Sequence, residues 1–375
     1  MSPHNDITTK FHNKLQSLLA RHARHQCMFP DCKSPAINAH AMSRENMLRG
    51  IAENGFLISP KPLRNDNKFY REIPFATVGI DQATTFKGFC SEHDQQFSSL
   101  DMHGVRTYGD VFLQLYRSFA GIVFEDQANR ASAQHAGDNE NFNYDHELSK
   151  TISATRALSL AYDLIEGYTN TNEALPVNER LILEPFSATA GMDVRIVIKR
   201  ITFPCPVALR TRFQLSAATH NFDTFVFVVP SKQNPMVIIV CDPNDVEQWK
   251  GKTRTSIDTL NFIESCMMFD GEWWLAPSVV NKWSPKKLEL IKSDYWNFFE
   301  RNYLDNYDVS LLDDVRKEIC SEMPSALRDA ELSKITNLPT REPDEFRRLR
   351  FALKAERDKQ SINRRSPLDE TEDEK

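Results

Sequence analysis

Three cysteines and one histidine stand apart from the rest of this 375-residue chain by type and spacing. Cys27 and Cys32 are separated by four intervening residues in CMFPDC, and Cys90 and His93 by two in CSEH. Thiolate and imidazole are the donors Zn2+ prefers, four at a time and tetrahedrally. A cysteine pair on a turn offers two donors from adjacent backbone, and Pro30, Asp31, Lys33, Ser34 and Pro35 make the segment around Cys32 turn-like. An offset of three residues brings Cys90 and His93 toward one point where a helix begins. The segment after Cys90, SEHDQQFSSL, has a capping serine and helix formers. The spacing therefore predicts a structural Zn2+ held by Cys27, Cys32, Cys90 and His93. Cys205, Cys241, Cys266 and Cys320 stand singly among apolar residues and read as buried small hydrophobes. Seven cysteines without a secretion signal argue against a disulfide framework.

His40 is a fifth candidate donor. It ends the apolar stretch AINAH, a short strand by composition. With four donors already in hand, three roles stay open for it: general base, zinc ligand in place of His93, or a histidine packed inside the small domain.

Taken together, CMFPDC, AINAH and GFCSEHD resemble the HNH (ββα-metal) endonuclease superfamily on its treble-clef zinc scaffold. In zinc-bound members one cysteine pair precedes a strand that ends in a histidine, and a second pair opens a helix. The resemblance covers residues 25–98. The wider strings AINAHAMSRENMLRGIAENG and TTFKGFCSEHDQQF are similar to a divergent bacterial branch, whose relatives recur in defence against phage and mobile DNA. It implies that His40 is the general base that activates water for phosphodiester attack. Asp94 stands where the family usually has its catalytic-metal histidine, and a carboxylate suits Mg2+ or Mn2+. That metal would neutralise charge on the scissile phosphate and the leaving oxygen. The implied partner is nucleic acid, namely DNA. A homodimer follows if both strands are cut, and a partner protein encoded in the same operon stays open.

The chain departs from the family at three points. The first pair has four intervening residues where two are commoner. Ala39 precedes His40 where many members carry a metal-binding Asp or His. The intervening asparagine is not fixed by spacing, with Asn38, Asn65 and Asn67 as candidates. A second reading follows, in which a catalytically inactive zinc scaffold recognises nucleic acid or a partner protein.

The net charge of -6 excludes a globally basic nucleic-acid coat, so contact with a polyanion needs a local patch. Arg21, Arg24, Lys33, Arg44, Arg49, Lys61, Arg64, Lys68 and Arg71 supply one, diluted by Glu45, Glu53, Asp66 and Glu72. No apolar run approaches the roughly 18 residues that span a membrane, and the N-terminus lacks the apolar core of a signal peptide. A soluble cytoplasmic protein is expected. The sequence contains neither a phosphate-cradling G-x-x-x-x-G-K-[ST] loop nor a G-x-S-x-G elbow, which disfavours ATP hydrolysis and serine hydrolase chemistry.

The elements that must position these residues are read from periodicity. Residues 8–24 predict an amphipathic helix through Phe11, Leu15, Leu18 and Leu19. Residues 105–132 predict a long helix, 133–147 a polar loop, and 148–168 a further helix. A boundary is placed near residues 170–178. Beyond it, Val194, Ile196 and Ile198 alternate with Arg195, Val197 and Lys199, as in a strand with one partly solvated face. FDTFVFVVPSKQNPMVIIVCDP reads as two strands about a polar turn, and Pro204 and Pro206 should end or bend the sheet. Helices are expected over 256–269, from Ser284–Pro285 onward, and around 309–322. Trp273, Trp274, Trp283 and Trp296 read as core in preference to a ligand-stacking surface. The expected fold class is α+β. It comprises a treble-clef zinc HNH-like domain (1–100), a helical section (101–178), a mixed sheet-and-helix domain (179–335) and a charged tail (336–375).

Overall fold

The computed structural model of the chain describes residues 3–20, 23–60, 75–137, 144–169, 171–176, 180–183, 194–213, 222–231, 235–268, 271–297 and 306–341. Asn65, Asn67, Arg21, Lys61, Arg64, Lys68, Arg71 and the tail after 341 lie outside them, as does the side chain of Trp296. The strands are β1 (Asn38–His40), β2 (Phe56–Pro60), β3 (Phe75–Gly79), β4 (Thr85–Lys87), β5 (Arg180–Leu183), β6 (Arg195–Arg200), β7 (Val207–Phe213), β8 (Thr224–Val229), β9 (Met236–Cys241) and β10 (Glu272–Leu275). The helices are α1 (Pro3–Leu19), α2 (Arg49–Ile51), α3 (Ser91–Asp94), α4 (Ser98–His103), α5 (Tyr108–Ala136), α6 (Tyr144–Gly167), α7 (Val246–Lys252), α8 (Ser256–Met268), α9 (Pro277–Asn281), α10 (Pro285–Asn297), α11 (Asp313–Ser321) and α12 (Ser325–Thr336).

The described residues form a mixed α and β structure with two sheets, both paired antiparallel. A two-stranded sheet joins β1 to β4, with His40 opposite Thr85. An eight-stranded sheet runs in the order β3-β2-β10-β7-β8-β9-β6-β5. Its side chains alternate between two apolar layers, as the two-residue period of a strand requires. Ile196, Ile198, Phe225, Phe227, Ile238 and Val240 enter one core, shared with α5, α6 and the Cys/His segment. Val197, Val226, Val228, Val237 and Ile239 enter the other, beneath α7, α8, α10 and α11.

That second layer corrects the reading of β6. The expected solvated face is covered: Val197 is fully buried and Lys199 is 3% exposed. A sheet with helices on both faces buries both residue sets, whatever the charge pattern suggests. The tryptophans belong to the core, with Trp273 Nε1 donating to the Met267 carbonyl at 2.9 Å and Trp283 Nε1 to Leu311 at 2.9 Å. All four scattered cysteines are buried, and burial pushes the Cys205 and Cys241 thiols up to about 12.

The long helix α5 starts on a reciprocal cap in which the Thr107 hydroxyl accepts from Asp110 N–H and the Asp110 carboxylate accepts from Thr107 N–H. It packs against both α1 and α6. One connection crosses the boundary expected near residue 100. β2 and β3, from the stretch between His40 and Thr85, pair with each other, and β2 also pairs with β10 at Ile58 opposite Leu275. The Cys/His segment and the large sheet are therefore hydrogen-bonded through this hairpin.

Candidate metal centre and adjoining site

The first cysteine pair lies on a tight turn. Cys27 N–H donates to the Ser34 carbonyl at 2.9 Å and Cys32 N–H to Phe29 at 3.2 Å. Asp31 takes φ +60 there, which short polar side chains tolerate better than most. Two backbone bonds stitch this turn to the second pair, Met28 N–H to the Gly88 carbonyl and Ile37 N–H to Phe89, each 2.7 Å. Cys90 is the residue that opens α3, and Asp94 N–H donates to its carbonyl at 2.9 Å. The three-residue offset thus brings Cys90 and His93 onto one side of a helical turn.

Cys27, Cys32, Cys90 and His93 converge, with all donor atoms within 4.8 Å of one another. His93 Nδ1 lies 3.5 Å from Cys27 Sγ and 3.2 Å from Cys90 Sγ, and the Cys32 and Cys90 sulfurs are 4.0 Å apart. Zinc bonds of roughly 2.0–2.3 Å give tetrahedral edges of about 3.5–3.8 Å, so spacing and donor chemistry fit a metal ion such as zinc. Phe29 stacks on the His93 ring with centroids 3.9 Å apart and fixes its plane. Burial pushes the Cys27 thiol up to about 11, and the Ser34 backbone brings Cys32 down to about 7.

His40 lies outside this cluster, and His93 is the histidine within it. His40 Nδ1 is 2.9 Å from the Ala83 carbonyl. A carbonyl can only accept, so Nδ1 carries the proton and Nε2 is left as the basic nitrogen. Burial holds the His40 pKa below its ordinary value, helped by Arg117 and Arg44 and opposed by the Ala83 carbonyl.

Asp94 ends α3, with its Oδ1 buried and free of any hydrogen bond. The nearest cation is Arg117 of α5, 3.9 Å away. Burial raises the Asp94 pKa and Arg117 opposes that shift. Arg117 is 3% exposed, bonds Asp101 at 2.6 Å and stands over the Phe97 ring at 4.9 Å. Asp94 Oδ1 shares this lack of a donor with Glu147 Oε2, and a carboxylate oxygen is a ligand that suits a hard cation.

The structure also places the departures from the family pattern. Ala39 is 1% exposed and pairs with Phe86, so its side chain belongs to the core and leaves no place for a ligand. Asn38 is exposed on β1. Among the described basic residues, Arg44 pairs with Asp81 and Glu45, and Arg49 with Glu45, while Arg24 and Lys33 are exposed.

Arg117 and Asp101 were not singled out by sequence. The available signal was a lone charge in the otherwise mostly apolar helical run VFLQLYRSFAGIVF. α5 also fixes the chain just after His40: the Ala41 carbonyl accepts from Gln114 Nε2 at 3.0 Å and Ser118 Oγ at 3.2 Å. Gly121 allows this approach, because a Cβ there would lie 3.0 Å from Ala41 Cβ. No helix among the described residues is long and apolar enough to cross a membrane. No known family, curated protein or solved structure was found to match this chain.

Proposed function

We propose that this chain is a metal-dependent HNH-like endonuclease that hydrolyses phosphodiester bonds in DNA, with defence against phage or mobile DNA as its context. Two observations around Arg117 carry this reading, the basic Nε2 of His40 and the donor-free Oδ1 of Asp94. Nδ1 of His40 is tied to Ala83, and Asp94 Oδ1 is buried without a donor. Arg117 influences both side chains.

In this reading Cys27, Cys32, Cys90 and His93 would hold a structural Zn2+, which would tie the start of α3 to the first cysteine pair. His40 Nε2 removes a proton from water as it attacks phosphorus. The Ala83 carbonyl stabilises the imidazolium that forms, through the Nδ1 proton. Asp94 would hold Mg2+ or Mn2+, which supplies charge neutralisation at the phosphate and the leaving oxygen. Arg117 keeps Asp94 in place from the side of α5.

The burial of Ala39 favours a second reading, in which the same scaffold binds nucleic acid or a partner protein and does not hydrolyse it. A plasmid nicking assay with Mg2+, Mn2+ or EDTA, beside His40→Ala and Asp94→Ala, separates the two. Metal-dependent nicking lost in both variants is expected. A folded protein with one zinc that nicks in no metal would overturn the nuclease reading. Sedimentation of the same preparation tests for the homodimer.

A further inference from the structure

We infer that Thr84 is a positioning residue for His40; this rests on the reading of His40 as the base. Residues 79–83 form a single helical turn, with Gln82 and Ala83 N–H both donating to the Gly79 carbonyl at 2.8 and 3.0 Å. The turn ends at Thr84 with φ +59. That left-handed backbone is glycine's usual place, and it is an outlier for a β-branched side chain. Thr84 is nevertheless 7% exposed and held on two sides. Its carbonyl accepts from Ala41 N–H at 2.9 Å. Its hydroxyl accepts from Met42 N–H at 3.4 Å and lies 3.5 Å from the Met42 carbonyl.

These bonds attach the turn to the two residues that follow His40. The carbonyl that receives the His40 Nδ1 proton belongs to Ala83, the residue immediately before Thr84. The direction of that carbonyl is set by the peptide joining Ala83 to Thr84. A strained backbone persists where surrounding contacts over-determine it, and such sites gather where geometry serves function. Glycine would adopt the turn without strain but would lack the hydroxyl and would leave the peptide free to rotate. Threonine gives up backbone ease and gains a fixed direction for one carbonyl, and hence one tautomer of His40.

The test compares Thr84→Gly and Thr84→Ser in the full chain. Side-chain 15N chemical shifts report the His40 tautomer directly, without reference to activity. The wild type and Thr84→Ser are expected to show one His40 form, protonated at Nδ1. Thr84→Gly should show a mixture, with KM for plasmid unchanged and kcat for nicking lowered about tenfold. Thr84→Ala, which also lacks the hydroxyl, gives the same comparison where the glycine variant does not fold. An unchanged tautomer in both the glycine and alanine variants would overturn the inference. If the wild type cuts nothing, the nuclease reading fails while the tautomer still decides the role of Thr84.

Discussion

Two buried arginines in this molecule are partnered in opposite ways. Arg316 on α11 bonds Glu264, Glu331 and Asn261. Glu264 is itself saturated: its other oxygen accepts from Leu311 and Leu312 N–H at 2.8 Å each. Arg117 has one close partner, Asp101, while Asp94 remains 3.9 Å off with Oδ1 unbonded. An open carboxylate valence in the interior is costly, and the Arg316 cluster closes those of Glu264 and Glu331, while Asp94 keeps one open. On the nuclease reading proposed above, the Arg117 cluster borders the reacting groups, whereas the Arg316 cluster serves stability.

The contrast can be broken by substitution. Arg316→Met leaves Glu264 charged and buried, and should lower the unfolding free energy by about 3–5 kcal/mol. Nicking per folded molecule should stay at the wild-type level, and denaturant titration alongside the plasmid assay checks both. Arg117→Met should destabilise less, by about 1–3 kcal/mol, because Asp101 is 33% exposed and can turn to water. It should nevertheless weaken nicking strongly. Asp94→Asn should leave stability equal or higher by about 1 kcal/mol while abolishing nicking. A large loss of stability in Asp94→Asn would place this residue with the structural cluster.

A titration sharpens the same point. Because the folded-state pKa of His40 lies below its ordinary value, the unfolded chain binds its proton first. Stability from this residue is complete above about pH 6.5 and is lost as pH falls below that value toward the folded pKa. The acid limb of the nicking profile should therefore lie below about 6.5, and His40→Asn should remove this part of the acid destabilisation. The smallest effect is reserved for an exposed pair. Lys282→Ala breaks the bond to Asp314 at 2.7 Å, with both side chains at least 60% exposed, and should leave the denaturant midpoint unchanged within error.

The convergence of the four donors was legible in the sequence because its information is local. Two short spacings and a turn composition determine which four atoms can meet. Helices such as α5, α8 and α10 were legible for the same reason, from apolar period and a Ser-Pro start. The Ser284 hydroxyl does accept from Lys287 N–H at 3.2 Å. What could not be read was long-range. Arg117 meets Asp94 and Asp101 through packing of α5 on the Cys/His segment, and no spacing encodes that. Lys199 was read as solvent-facing because its charge outweighed its neighbours, yet helices from much later in the chain cover it. The continuity of the β2–β3 hairpin with the large sheet was hidden in the same way, since Ile58 finds its partner at Leu275.

That last pairing bears on how the protein is made. During synthesis all four candidate metal donors have emerged once His93 has. The hairpin between His40 and Thr85 must wait for β10 before β2 is flanked on both sides. Pairing so distant in sequence is slow, because the entropy of closing the intervening chain precedes any gain from contact. A nascent chain can therefore present its four donors before β2 gains its second neighbour. Ribosome-released fragments ending before Glu272 should bind zinc yet leave the hairpin open to protease.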